Sequence, residues 1–405
     1  MAHCMKLLFI TPTLPHSRVY SGSIVIHHRM RLLAERGYKL GLATFLKPED
    51  TPFLDEVRAF APDLETRPLP PPPSFARLLV SHTVGSVPWP FARYNDAAMA
   101  ACVGAMVARG RYDAAIAEFT AMGQFLYRNP FLPAVRRIVS VHGCAANALR
   151  KSLHVAPVSL ARLGKQLALP RLEQWEMALY RSADLVLTLT ETERQELLAL
   201  EPNIRTAVSP YGVDVERFRP LPRGDEAREE AICFTGFFRD EPNCDAVLWF
   251  VQEVWPALRK RFPKLIFYVI GSSPPPAITE LGRRRMGIVV TGEVNDMAPY
   301  LARCLLYVCP LRIVVGFSGK ILQAMSAGLP VVATSLAAQG FPVEPGHNIM
   351  LADTPSLMIA NISLLLTDRV LRAKIADRAR EMVITRFSWP RCVDTLEAAL
   401  REVVS

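Results

Sequence analysis

Short apolar, β-branched runs alternate along the chain with longer stretches whose apolar positions recur at helical spacing. "KLLFITP" is followed by Gly22-Ser23, an amphipathic stretch from Ile24 to Arg36, Gly37 as a stop, and "KLGLATF". Strand, helix and strand at this spacing predict a βαβ unit and hence a parallel sheet. Further strands are expected at "AAIAEF" (114–119), "RIVSVHG" (137–143) and "LVLTLT" (185–190). The run "RPLPPPPS" (67–74) reads as a stiff extended loop. Residues 152–183 read as helices with Leu, Val, Ala and Trp on one side and Arg and Lys on the other. Such a face packs into a core or lies on a membrane surface, with the core preferred.

A proline-rich break, "RFRPLPRGDEAREE" (217–230), precedes a second alternation. It runs through "AICFTG", a helix holding "AVLWFVQEVWPALRKRF", "LIFYVIG", a short helix, "GIVVTG", another helix, "LLYVCPL", "GFSGKILQAMSAGLP" and "VVAT". The expected fold class is α/β, with two Rossmann-like, doubly wound parallel-sheet domains facing across a cleft. Open sheets of this kind bind ligands at the carboxyl ends of their strands. The last segment, "RFSWPRCVDTLEAALREVV", predicts a helix entered through Ser388, Trp389 and Pro390, apolar enough to pack against another domain. The expected parts are an N-terminal domain (1–208), a ligand-binding C-terminal domain (209–386) and a terminal helix crossing back to the first (387–405).

Composition narrows the class. A chain of 405 residues, half of them apolar, exceeds one ordinary core and is globular rather than disordered. No apolar stretch is long enough for a transmembrane helix, and "MAHCMKLLFITPTLP" is broken too early by proline for a secretion signal. The eight cysteines form no CxxC pair, and Cys102, Cys233, Cys304 and Cys309 sit in apolar runs. That pattern argues against structural zinc and for a reducing cytoplasm. The net charge of +9 includes the clusters "RKRFPK" (259–264) and "GRRRMG" (282–287). Without interleaved aromatics or a known module they do not indicate nucleic acid. Solvated surface accounts for each cluster singly, and the total suits an anionic small molecule or peripheral contact with an anionic membrane.

The stretch from Gly316 to Lys320 carries the clearest candidate chemistry. Small residues lead into a helix whose free amides suit a phosphate, and Lys320 adds a full charge. It is no P-loop, because Ile321 follows the lysine, and the first βα turn has no GxGxxG. A tight βα turn that merely needs small residues stays open on equal terms.

"LRIVVGFSGKILQAMSAGLPVVATSLAAQGF" resembles the donor-binding segment of the family 4 retaining glycosyltransferases (glycosyl transferases group 1), which have the GT-B fold. "PYGVDVERFRP" (210–220), "FTGFFRDEPNCDAVLWFVQEVWP" (234–256), "YVIGSSPP" (268–275) and "VTGEVNDMAPYL" (290–301) resemble its other blocks in the same order. The resemblance implies transfer of a sugar from a nucleotide-diphospho-sugar to a glycan, lipid-linked or small-molecule acceptor. It implies that amides of Gly316, Phe317, Ser318 and Gly319 hold the diphosphate and that Arg312 and Lys320 neutralise it. Val294 falls beside the nucleotide base, and Gly236 and Gly271 belong to the donor-side blocks. The loop at Gly22 and Ser23 closes over the diphosphate, and His142 matches a histidine that reaches donor sugar or acceptor.

Val315 and Gln323 stand where many members carry two glutamates that hold the sugar and the ribose. Glutamine can bond a ribose hydroxyl only without charge assistance. The usual arginine and lysine after the first strand of the second domain are also absent, with Arg239 a partial substitute. Glu118, at a strand end, either faces the acceptor or is a surface or capping carboxylate. Thr188, Thr190 and Glu191 are weaker candidates for the cleft, and His27 and His28 read as packing or surface residues. No DxD motif occurs, so neither a metal nor any other cofactor is expected. The alternatives are a degenerate binding protein, which the missing acids favour, and a nucleotide-sugar epimerase, against which "PYGVDVERF" argues.

Overall fold

In a computed structural model, residues 5–17, 22–72, 87–155, 160–220, 228–283, 286–313 and 318–404 are described. The chain divides into two compact units, Met1–Pro210 with Val393–Ser405, and Tyr211–Cys392.

The first unit holds a parallel sheet of β1 (Lys6–Thr11), β2 (Lys39–Leu46), β3 (Asp63–Pro68), β4 (Ala114–Glu118), β5 (Arg136–Val141), β6 (Leu185–Thr188) and β7 (Thr206–Val208). Their order is β3-β2-β1-β4-β5-β6-β7. Strands covered on both faces need apolar residues at successive positions, as the unbroken run in β1 shows. Leu7 and Phe9 pack with Ile26, Met30 and Leu33 of the helix Gly22–Glu35. Leu8 and Ile10 point the other way, toward Met99, Val103 and Met106 of the helix Ala97–Gly110.

The terminal helix Trp389–Val404 belongs to the first unit from Val393 onward. Val393, Leu396, Leu400 and Val403 are buried in the Leu7–Phe9 cluster, and burial of each such side chain is worth about 1.5–3 kcal/mol. Arg36 pairs with Asp394 at 2.9 Å and also with Glu397, which accepts a 2.8 Å bond from the Tyr38 hydroxyl.

The second unit repeats the winding with β8 (Ala231–Thr235), β9 (Ile266–Ile270), β10 (Ile288–Gly292), β11 (Leu306–Cys309), β12 (Val331–Ala333) and β13 (Met350–Leu351). The order is β10-β9-β8-β11-β12-β13, and all pairs are parallel. In each unit the strand order reverses beside the first strand, between β1 and β4 and between β8 and β11. Those crevices at the strand carboxyl ends are where such sheets receive ligands.

Two local expectations change. Part of the stretch read as an extended loop is strand, because β3 runs to Pro68. It lies at the sheet edge, where proline's missing donor removes no ladder bond. Gly22 and Ser23, expected in a loop, are the first residues of the helix Gly22–Glu35.

Candidate functional site

In the first unit the site grows from the carboxyl ends of β4 and β5. His142 follows β5 directly, and Gly143 then turns the chain at φ 120°. The His142 ring stacks on Phe119, centroids 4.1 Å apart and planes within 24°. Phe119 itself holds φ 68° and ψ 141°, a backbone state that costs a non-glycine residue of order 1–3 kcal/mol and is typical of functional sites.

Glu118 corrects its expected place. It is neither surface carboxylate nor cap and does not reach out to an acceptor, being 1% exposed. One carboxylate oxygen lies 2.8 Å from His142 Nε2, and both lie 3.3–3.4 Å from Nη1 of the equally buried Arg29. Arg29 also donates to Ser140 Oγ at 3.1 Å and to the Ser209 carbonyl at 2.7 Å. Burial alone would push the Glu118 carboxyl up. The Arg29 guanidinium, with His142 and Ser140, outweighs it and holds the group down at about 2. His142 Nδ1 is buried without a hydrogen-bond partner among the described residues. A Cβ on Gly22 would lie 2.9 Å from that nitrogen and 2.4 Å from the Phe119 ring, so only glycine lets the backbone pack this closely against the two rings.

In the second unit the helix Gly319–Ser326 follows β11. It has no side-chain cap and no acid in its first turn, so its amides keep their anion-binding character. Lys320 is half-buried, its ammonium bonded to Asn243 Oδ1 and 4.9 Å above the Phe234 ring. Burial lowers its pKa, and Cys309 and Asp240 act the other way. Asn243 is oriented in turn by its own Nδ2, which donates to the Phe237 carbonyl at 2.8 Å. Gly319 has a packing reason for being glycine, since a Cβ there would come within 2.8 Å of the Tyr211 ring.

Other expected residues separate from this group. Arg312 makes a two-pronged ion pair with Asp245, Nε to Oδ2 at 3.0 Å, and lies over Trp249. Its guanidinium is thus paired with a carboxylate of the helix Glu241–Glu253. Gly236 and Gly271 meet backbone to backbone: Gly271 has φ 145°, and a Cβ there would fall 1.8 Å from the Gly236 carbonyl oxygen. Gly271→Ala is expected to cost about 2–4 kcal/mol, read as a lower midpoint in urea unfolding. Arg239 is exposed, Val294 is half-buried against the core, and Ser318 is buried just before the helix. Gln323 is half-buried. Val315, Gly316 and Phe317 lie outside the described residues.

The weaker candidates have structural duties. Thr188 bonds the Thr190 carbonyl, and Thr190 caps the helix Glu191–Leu200 by accepting from Glu193 N–H at 3.0 Å. Glu191 pairs with Arg194. His27 is buried and bonds the Pro15 carbonyl. Sequence reasoning missed Arg29, Asn243 and Asp245. Arg29 alone left a signal, as a charge inside the apolar stripe Val25, Ile26, Met30 and Leu33. Among the described residues no cluster of His, Cys, Asp and Glu could hold a metal, and no helix is long and apolar enough to cross a membrane.

Two Rossmann-like units of the same winding order, each with charged groups at its strand carboxyl ends, define a two-domain α/β fold. Solved structures share it along the whole chain. Sucrose-phosphate synthase from Thermosynechococcus elongatus superposes with a TM-score of 0.71 at 16% identity, covering 98% of this chain and 99% of that one. Anabaena HepE in complex with UDP gives 0.70 at 15% identity, covering 98% and 100%. These likenesses establish the GT-B architecture. The profile of the glycosyl transferase 4-like domain matches residues 23–212, and that of glycosyl transferases group 1 matches residues 229–368. The chain belongs to the group 1 glycosyl transferases, in the family 4 type. D-inositol 3-phosphate glycosyltransferase of Salinispora arenicola (strain CNS-205) is 28% identical over 255 residues, 55% of this chain and 56% of that protein. The chain thus matches little more than half the length of that curated relative.

Proposed function

We propose that the protein is a retaining glycosyltransferase that moves a sugar from a nucleoside-diphosphate sugar to a hydroxyl of a glycan, lipid-linked or small-molecule acceptor. The observation that carries this reading is the uncapped helix Gly319–Ser326 with Lys320 in its first turn, at the carboxyl end of β11 beside the switch point. Its family membership and the UDP bound by the similar HepE structure support a nucleoside diphosphate there.

The bond from the anomeric carbon to the leaving phosphate oxygen breaks, and the acceptor oxygen bonds to the same carbon on the same face. The departing diphosphate oxygen takes the acceptor's proton. Lys320 and the helix amides stabilise the charge that develops on the diphosphate, the electrostatic contribution that dominates many such barriers. In this reading protein cations do the work of a bridging metal, and no cofactor takes part. His142 presents Nδ1 to a sugar hydroxyl. Work in the cytoplasm, with peripheral contact at an anionic membrane face, fits the basic charge.

Purified protein incubated with a panel of nucleoside-diphosphate sugars and acceptors, with and without a chelator, tests the reading. Transfer that survives the chelator is expected; binding of nucleoside diphosphate without turnover of any donor would replace it with a binding protein. Gln323→Glu adds a check on geometry. A carboxylate facing the ribose should tighten nucleoside-diphosphate binding about tenfold by calorimetry, the gain from charge assistance.

A further inference from the structure

The histidine of this site is held from behind by a buried ion pair. We propose that Arg29 and Glu118 are positioning residues that lock neutral His142 as its Nε2–H tautomer, so that Nδ1 meets the substrate as a hydrogen-bond acceptor for a hydroxyl. This rests on the transferase reading for its consequence, though not for its geometry.

Arg29 has only donors to offer and places them on Glu118, Ser140 and the Ser209 carbonyl. An arginine beside it keeps Glu118 ionised, and an ionised carboxylate can only accept. The carboxylate oxygen 2.8 Å from His142 Nε2 therefore requires the hydrogen on Nε2. In the neutral ring Nδ1 then keeps its lone pair, in a side chain 3% exposed, with no partner among the described residues. A buried acceptor left unmatched is unfavourable, so its partner has to arrive with the ligand. A sugar hydroxyl can donate into that lone pair, whereas an ionised carboxylate or phosphate oxygen cannot. The stacked Phe119 ring fixes the imidazole plane, so a proton on the wrong nitrogen could not be accommodated by rotation.

Long-range ¹H–¹⁵N correlation spectra of the full chain, taken where the ring is neutral, read the tautomer directly. The wild type is expected to show a protonated Nε2 and a bare Nδ1 at His142; the opposite pattern would overturn the proposal without any activity measurement. In Glu118→Gln, Arg29 claims the amide oxygen and the amide NH₂ turns to Nε2, so the proton should move to Nδ1. Transfer kcat should then fall about 100-fold with donor KM changed less than about threefold, and Glu118→Asp should restore the tautomer and much of the rate. A Glu118→Gln protein with wild-type tautomer or wild-type kcat would refute the lock. A wild type with the expected spectrum but no transferase activity would refute the transferase reading and leave the lock standing.

Discussion

Lys320→Ala is expected to slow sugar transfer about 100- to 1,000-fold, with the loss in kcat rather than in donor KM. The charge on a departing diphosphate grows as the anomeric bond breaks, so a cation aimed at it acts more strongly in the transition state than in the bound donor. Removing one such donor group from an enzyme site typically has an effect of this size. Stability should move little, and upward if at all. The ammonium sits half-buried against Phe234, where desolvation already disfavours its charge, and alanine ends that strain at the loss of one bond to Asn243. Lys320→Arg should recover only part of the rate, because a planar guanidinium cannot occupy the space of a compact ammonium between Phe234 and Asn243. Steady-state kinetics with thermal melts on the same preparations check both halves.

Arg29→Met should have the largest effect on stability. It removes the cation from a carboxylate that is 1% exposed, and breaking one side of a buried pair costs about 3–5 kcal/mol. The pH dependence follows from the sign of the shift. Glu118 is held at about 2, below its ordinary value of 4.5. Its ionised form therefore contributes stability fully above 4.5, and that contribution fades as the pH falls from 4.5 toward 2. Without Arg29, burial is left to raise the carboxyl, so the variant pays most at neutral pH. The gap in unfolding free energy between wild type and variant should narrow as the pH drops through that window. A constant gap would mean that Arg29 acts through packing alone.

The winding of both sheets was legible because strands buried on two faces are unbroken apolar runs, and "KLLFIT" or "LYVC" can hardly be anything else. The edges were not. β3 carries Asp63, Glu65 and Arg67 and ends in proline, and β13 has two residues, so neither shows the apolar signal. At the site, His142 and Lys320 could be found because each follows a readable strand. Their partners could not. Asn243 lies 77 residues from Lys320 and Asp245 lies 67 from Arg312, so only folding brings them together. Arg312 and Glu118 show the consequence. Chemistry suggested an anion contact for one and an acceptor contact for the other, and the tertiary structure gives each an ion-pair partner that spacing does not reveal. For Arg29, the apolar stripe around it marked the position as buried, and a buried arginine needs a buried acid; that inference was available from spacing alone.

Sugar transfer with retention is read in the product itself. The wild-type chain and Lys320→Ala are incubated with each nucleoside-diphosphate sugar and an acceptor mixture, and the product's anomeric proton is read by NMR. At least one donor is expected to yield a glycoside of unchanged anomeric configuration, and Lys320→Ala all but to abolish it. A product of inverted configuration, or transfer undiminished in Lys320→Ala, would contradict it.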